Sequence, residues 1–203
     1  MINNNFLRLD VLRHGETTLS HTLRGHLDDA LTEQGWLQMQ HTLDAYLQQK
    51  PDWDAVITSS LQRCQTFAQH VSQTLQLPIV IEPNLKEYNF GDWEGKTTLD
   101  IYQHTPEQLA QFWEQPSIYS PPNAETLFNF QQRIQQGLVD LIQNADVYRW
   151  KRVLMIGHGG VIKLLKCLAE PCEIDQLLTQ SAPLATIHSF CLDRTQAGVH
   201  FCE

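Results

Sequence analysis

The chain has 203 residues and carries 14 Lys and Arg against 23 Asp and Glu, a formal charge of −9. With 42% hydrophobic and 18% charged residues it is a globular chain rather than a disordered one, and its length suits a single domain spanning residues 1–203. An acidic chain without a Lys/Arg cluster excludes nucleic acid as the main partner, because phosphate-backbone binding needs several cations side by side.

The longest apolar runs, such as Val153-Leu-Met-Ile156, fall far short of the ~18–20 residues of a membrane helix. No membrane partner is expected. Met1-Ile-Asn-Asn-Asn-Phe-Leu-Arg-Leu-Asp10 has neither a basic segment running into an apolar one nor a small-residue cleavage site, so the expected address is the cytoplasm. The five cysteines (Cys64, Cys167, Cys172, Cys191, Cys202) are odd in number and form no CxxC pair. Reduced, mostly buried thiols are expected, with no disulfide framework and no metal site.

In chain order, residues 6–12 form a β-rich run broken at Gly15, and the pattern returns at 54–58 and 153–157. Trp36, Met39, Leu43, Tyr46 and Leu47 fall at helical spacing, as do Leu61, Cys64, Ala68, Val71 and Leu75. Residues 97–123, bearing Pro106, Trp113, Pro116, Tyr119, Pro121 and Pro122, predict short helices and loop in an excursion able to cover a substrate. A longer helical stripe follows at Leu127, Phe130, Ile134, Leu138, Leu141 and Ala145, then another at Val161, Ile162, Leu164, Leu165 and Leu168. The tail, 185–192 and 199–202 around Thr195-Gln-Ala-Gly198, reads as a hairpin. Such alternation predicts a three-layer α/β/α domain with a mainly parallel central sheet, binding ligands at the strands' carboxyl ends.

The first strand runs into Leu12-Arg13-His14-Gly15-Glu16-Thr17, and the third predicted strand ends in Gly157-His158-Gly159-Gly160. Two strands delivering His-Gly to one edge can bring both imidazoles into one pocket, with glycines such as Gly159 allowing close approach to a ligand. Arg63 falls in the first turn of the helix after the second strand, where a cation opposes the helix dipole. A bound anion would remove that penalty, whereas an exposed arginine would tolerate it. With Arg13 it offers two guanidinium groups suited to phosphoryl oxygens.

Arg13-His14-Gly15-Glu16-Thr17, Gly25-His-Leu-Asp28 and Leu31-Thr32-Glu-Gln-Gly35 resemble the histidine phosphatase (phosphoglycerate mutase-like) superfamily. The resemblance continues through Ser60-Leu-Gln-Arg63, Leu85-Lys-Glu87-Tyr-Asn-Phe-Gly91-Asp-Trp93-Glu94-Gly95 and Val153-Leu-Met-Ile-Gly-His158-Gly159-Gly160, all in the family's order. It implies a phosphoglycerate mutase-like fold and phosphomonoester chemistry without metal or organic cofactor. It also implies that His14 is the nucleophile, that Arg13, Arg63 and His158 hold phosphoryl oxygens, and that Glu87 is the acid. Phosphomonoester hydrolysis is extremely slow without a catalyst, so such a site must neutralise charge, keep its imidazole unprotonated and deliver a proton to the leaving oxygen. Glu87, between Leu85 and Tyr88, fits a carboxyl kept protonated by partial burial and substrate charge; without the motif it would read as an ordinary exposed carboxylate. Thr17 offers either a hydrogen bond to phosphate or a turn-stabilising hydroxyl, and Trp93 reads as core.

The short chain favours a phosphatase over the family's cofactor-dependent mutases, which carry longer insertions. Its partner is then a small phosphorylated metabolite, and Tyr88, Phe90, Tyr102, Trp113 and Tyr119 are candidates for its walls or for packing. The sequence departs from the family's usual pattern at Leu19 and Ser20, at Ala124-Glu125-Thr126 and at Phe67, positions that bear on pocket trim and substrate fit. A phospho-ligand-binding scaffold without turnover would lack His14 or Glu87, and both are present. Neither Gly-x-Ser-x-Gly nor a P-loop occurs, which disfavours serine hydrolases and P-loop enzymes.

Overall fold

The computed structural model describes residues 5–170, 172–195 and 198–202. The leader expectation at residues 1–4 and the hairpin-turn positions 196 and 197 lie outside them. A six-stranded sheet runs in the order β3-β2-β4-β1-β5-β6. Its strands are β1 (Phe6–Arg13), β2 (Ala55–Thr58), β3 (Ile79–Ile81), β4 (Arg152–Gly157), β5 (Ile187–Asp193) and β6 (His200–Phe201). The four from β3 to β1 are parallel, while β5 and β6 are antiparallel additions at the far edge.

Alternation along the strands builds two cores. Leu7, Leu9 and Val11 of β1, Ala55 and Ile57 of β2, and Val153 and Met155 of β4 face one side. They pack there against α5 (Leu127–Tyr148) and α6 (Gly159–Ala169). Leu12, Val56, Leu154 and Ile156 face the other, against α1 (Glu33–Leu47) and α2 (Gln62–Leu75). The period-2 side-chain alternation of a strand covered on both faces thus gives the expected three layers. The full α5 stripe from Leu127 to Ala145 is buried. The excursion after residue 97 contains α3 (Thr98–His104), closed by a Thr97–Asp100 capping box, and α4 (Pro106–Glu114). Trp93 is buried in the core, as expected.

Two features differ from expectation. The short strand β3 carries no alternating pattern and lies between Pro78 and Pro83. The thiols are not all reduced: Cys191 and Cys202 are joined in a disulfide, with Cα atoms 5.3 Å apart. The cause is register, because pairing Leu192 with Phe201 sets these two cysteines side by side across the β5–β6 ladder. An odd cysteine count excludes complete pairing, not a single pair. Asp10, inside β1, is buried and accepts from Trp53 Nε1 at 2.7 Å, Arg152 Nε at 2.7 Å and Ser189 Oγ at 2.6 Å. Burial alone would raise its pKa, but the Arg152, Ser189 and Trp53 donors together hold it below the ordinary value.

Candidate functional site

Register between adjacent strands assembles the site. Arg13 of β1 pairs with Gly157 of β4, so the next residues, His14 and His158, leave the sheet side by side. The His14 amide donates to the Gly157 carbonyl at 3.0 Å, and the two imidazoles lie edge to face, with centroids 5.5 Å apart. The turn carrying His14 is held by α1. A Cβ on Gly15 would stand 2.1 Å from the Gly35 carbonyl oxygen, and one on Gly35 would stand 1.9 Å from the Glu16 carbonyl oxygen. Only glycine at both places allows this approach. Thr32 fastens the contact by capping α1 at the Gly35 amide while donating to Glu16 Oε1 at 2.8 Å.

His14 Nδ1 lies 2.8 Å from the Gly15 carbonyl. A carbonyl can only accept, so Nδ1 carries the proton and Nε2 keeps its lone pair. Burial lowers the pKa of His14 well below the usual imidazole range, and the charges of Arg63, Arg13 and Arg24 lower it further. His158 is fully buried and likewise lowered, by burial first and then by Arg63. Its Nε2 lies 2.7 Å from Ser59 Oγ, which fixes the ring at the end of β2.

Three arginines surround the pair. Arg63, fully buried, donates through Nη1 to Leu27 O at 2.9 Å and Asp29 Oδ1 at 3.3 Å, and through Nη2 to Gly25 O at 2.7 Å. The protein therefore occupies most of its fork. Arg13 donates to the Ala182 carbonyl. Arg24 donates to Leu19 O and Thr22 O, with its Nε 3.5 Å from Asp29 Oδ2. Among the described residues the buried Nε–H groups of Arg13, Arg24 and Arg63 find no hydrogen-bond partner. Such groups are costly unless a ligand accepts from them.

Glu87, 8% exposed, accepts from the Gly160 amide at 2.9 Å and the Tyr88 amide at 3.0 Å. It lines a cavity of about 320 Å³ together with Arg13, His14, Thr22, Leu23, Arg24, Phe90, Phe112, Trp113, Gly159, Gly160, Lys163 and Leu178. A wider depression of about 920 Å³ along α5 is lined mainly by amide side chains and holds none of these imidazoles. Chemistry, not size, selects the smaller one. The lining sets Arg13, Arg24 and Lys163 against the one carboxyl group of Glu87, a cationic excess that suits an anionic ligand.

Of the residues singled out from sequence, Arg13, His14, Glu87 and Gly159 line the cavity, while Arg63 and His158 are fully buried and not part of its lining, His158 with its ring centroid 5.5 Å from that of His14. Thr17 is buried, its amide donating to Ser20 Oγ at 2.8 Å and its hydroxyl 3.4 Å from the same oxygen. Its position supports the turn, not the cavity wall. Phe90 and Trp113 face the cavity; Tyr88, Tyr102 and Tyr119 do not line it. Arg24 and Lys163 are additions. Arg24 stands immediately before the Gly25 block, and that adjacency was the available signal. Lys163 lies one helical turn beyond Gly159 and donates to Leu178 O at 2.9 Å.

The fold and this cluster define an α/β protein with an anion pocket centred on paired histidines. The chain belongs to the histidine phosphatase superfamily (branch 1), whose family model matches residues 9–201. It is 32% identical over 173 residues to the adenosylcobalamin/alpha-ribazole phosphatase of Escherichia coli (strain K12), covering 82% of each chain. It is 27% identical to the 2,3-bisphosphoglycerate-dependent phosphoglycerate mutase of Bartonella henselae, covering 92% of this chain and 94% of that one. A bifunctional protein of Mycobacterium tuberculosis is 34% identical over 164 residues, 80% of this chain and 44% of its own length. The chain thus spans less than half of that relative. The alpha-ribazole phosphatase from Shigella flexneri superposes with a TM-score of 0.78 at 26% identity, covering 96% of this chain and 95% of that one. Among the described residues no helix is long and apolar enough to cross a membrane.

Proposed function

We propose that this chain is a phosphomonoesterase that passes the phosphoryl group through His14, and that its substrate is a small phosphorylated metabolite, α-ribazole 5′-phosphate of cobalamin biosynthesis first among them, whose leaving group is a sugar alkoxide. The observation that carries the reading is the lone pair at His14 Nε2 amid three guanidinium groups, of which Arg13 and Arg63 have buried Nε–H donors with no acceptor among the described residues and Arg24 has only the Asp29 carboxylate, 3.5 Å away. In this reading Nε2 attacks phosphorus in line while the Arg13, Arg24 and Arg63 donors take the phosphoryl oxygens. His158, held by Ser59, positions a further oxygen. Glu87 passes its proton to the departing alkoxide as the ester P–O bond breaks. Water then attacks the phosphohistidine, giving a proton to the Glu87 carboxylate and releasing inorganic phosphate. The scheme needs no metal or organic cofactor.

Phe90, Phe112, Trp113, Leu23 and Leu178 offer apolar walls to a benzimidazole riboside, and about 320 Å³ lies within the range for small-ligand sites. The test is a panel of α-ribazole phosphate, 3-phosphoglycerate and sugar phosphates ranked by kcat/KM. His14→Ala is expected to abolish turnover with the fold retained; full activity in that variant would refute the nucleophile. Glu87→Gln slows alkyl phosphates far more than activated aryl phosphates. The mycobacterial and enterobacterial relatives share the field with mutases, as the Bartonella relative attests. Transfer of phosphate to an acceptor rather than water would favour that second reading. Binding without any release of phosphate would leave a scaffold.

A further inference from the structure

Behind the cavity two thiols lie against each other. Cys167, in the last turn of α6, and Cys172, just before the 3₁₀ turn Ile174–Thr179, have sulfur atoms 3.1 Å apart. Cys167 is buried, whereas Cys172 is only partly covered and open to a reagent. The Gln180 side-chain amide donates to the Cys172 sulfur at 3.7 Å, and the Cys172 thiol donates to Glu173 O at 3.3 Å and to Gln176 Oε1 at 3.6 Å, so the sulfur is held in place beside Cys167. The remaining cysteines are differently placed. Cys64 is fully buried beside His158, with its thiol pushed up to about 12 by burial, and Cys191 and Cys202 are already bonded.

The pair sits at a structural junction. Helix α6 carries Gly159, Gly160 and Lys163 of the cavity. The segment after Cys172 carries Leu178, another wall residue, and ends at the Ala182 carbonyl that receives Arg13. Polar contacts run from this segment to its surroundings, Lys163 to Leu178 O, Lys166 Nζ to Ser181 O at 2.6 Å, and the Ser117 amide and hydroxyl to Asp175 at 2.8 and 3.0 Å, while Leu177 is buried in the core. None of these is covalent. A covalent bond at Cys172 would fix the segment's start to the helix it packs against.

We propose that Cys167 and Cys172 form a redox-active dithiol, which a low-molecular-weight disulfide such as oxidised glutathione closes to an intrachain disulfide that clamps the rear segment of the cavity onto α6. The Cys172 thiolate attacks one sulfur of the reagent, forming a mixed disulfide and expelling one thiolate. Cys167 gives up its proton and attacks the Cys172 sulfur, forming the internal bond and expelling the second. Two protein thiols are oxidised and one reagent disulfide is reduced to two thiols, which take up the two protons. No step involves His14, so the inference stands apart from the phosphatase reading.

The test treats the full chain with oxidised glutathione, alkylates the remaining thiols and maps the peptides by mass. Wild type should yield a peptide linked through Cys167 and Cys172 and no lasting glutathionyl adduct. Cys167→Ser should accumulate the adduct on Cys172, because nothing resolves it, and Cys172→Ser should leave Cys167 unmodified. Backbone amide exchange across 174–180 should slow on oxidation of the wild type and not of Cys172→Ser. Recovery of both cysteines alkylated in the treated wild type, or an adduct there as persistent as in Cys167→Ser, would overturn the dithiol. Formation of the bond with unchanged exchange would overturn the clamp.

Discussion

Replacing Gly160 by alanine isolates the placement of Glu87. A Cβ built on Gly160 stands 2.3 Å from Glu87 Oε1, against about 3.4 Å for ordinary contact, so the carboxyl group must retreat by about 1 Å. The same carboxylate accepts from the Gly160 amide, so the retreat also loosens the bond that aims it. A misplacement of that size at a reacting group costs on the order of 100-fold in rate. Alanine is the better helix former by about 1 kcal/mol, and Gly160 lies in the first turn of α6 without a positive φ, so the fold should hold or gain stability. The assay compares kcat/KM for an alkyl phosphate and an activated aryl phosphate, alongside the thermal midpoint. We expect Gly160→Ala to lose about 100-fold on the alkyl ester, far less on the aryl ester, and nothing in stability. Retained alkyl activity would refute Glu87 as the proton donor.

Arg24→Gln removes one of the three unpartnered Nε–H donors. It should lower kcat/KM by about 10- to 100-fold, the worth of a charge-assisted hydrogen bond, and weaken inhibition by inorganic phosphate. Unchanged phosphate inhibition would separate Arg24 from the anion pocket. His14 and His158 have folded-state pKa values well below the ordinary 6.5, chiefly through burial. The unfolded chain therefore takes up protons near pH 6.5 that the folded chain does not. Stability contributed by these neutral rings is complete above that pH and declines as the pH falls below it, by up to about 1.4 kcal/mol per pH unit for each ring. Urea unfolding at pH 7.5 and 5.5 checks this, and a flat or rising response on acidification would contradict it. Asp10→Ala strips the buried acceptor from Trp53, Arg152 and Ser189 and should destabilise the fold by about 3 kcal/mol in the same assay.

Much of this architecture is legible in the sequence. Strands β2 and β4 carry the apolar runs Ala55-Val-Ile57 and Val153-Leu-Met-Ile156, β1 alternates Leu7, Leu9 and Val11 with other residues, and α5 keeps its stripe because one face meets the sheet. Strand β3 escaped because three residues between prolines carry no period. The Cys191–Cys202 bond escaped because it depends on β5–β6 register, which cysteine spacing does not encode. At the site, His14, His158 and Glu87 were legible from strand ends and motif. The partners of Arg63 were not, since Gly25 O, Leu27 O and Asp29 belong to a loop whose path is set by tertiary contact. Arg24 escaped for the same reason: nothing periodic marks a loop residue that acquires its role by lying across from Asp29.

The side-by-side exit of His14 and His158 rests on one rung of the β1–β4 ladder, joining the first strand of the chain to one formed only after α5. A slip of two rungs would preserve every inward and outward face yet offset one ring from the other by a further ~7 Å along the strands. On the proposed mechanism a nascent chain ending before β4 would be chemically silent, and any phosphate affinity recovered during refolding would clock the closing of that rung rather than the gain of helix.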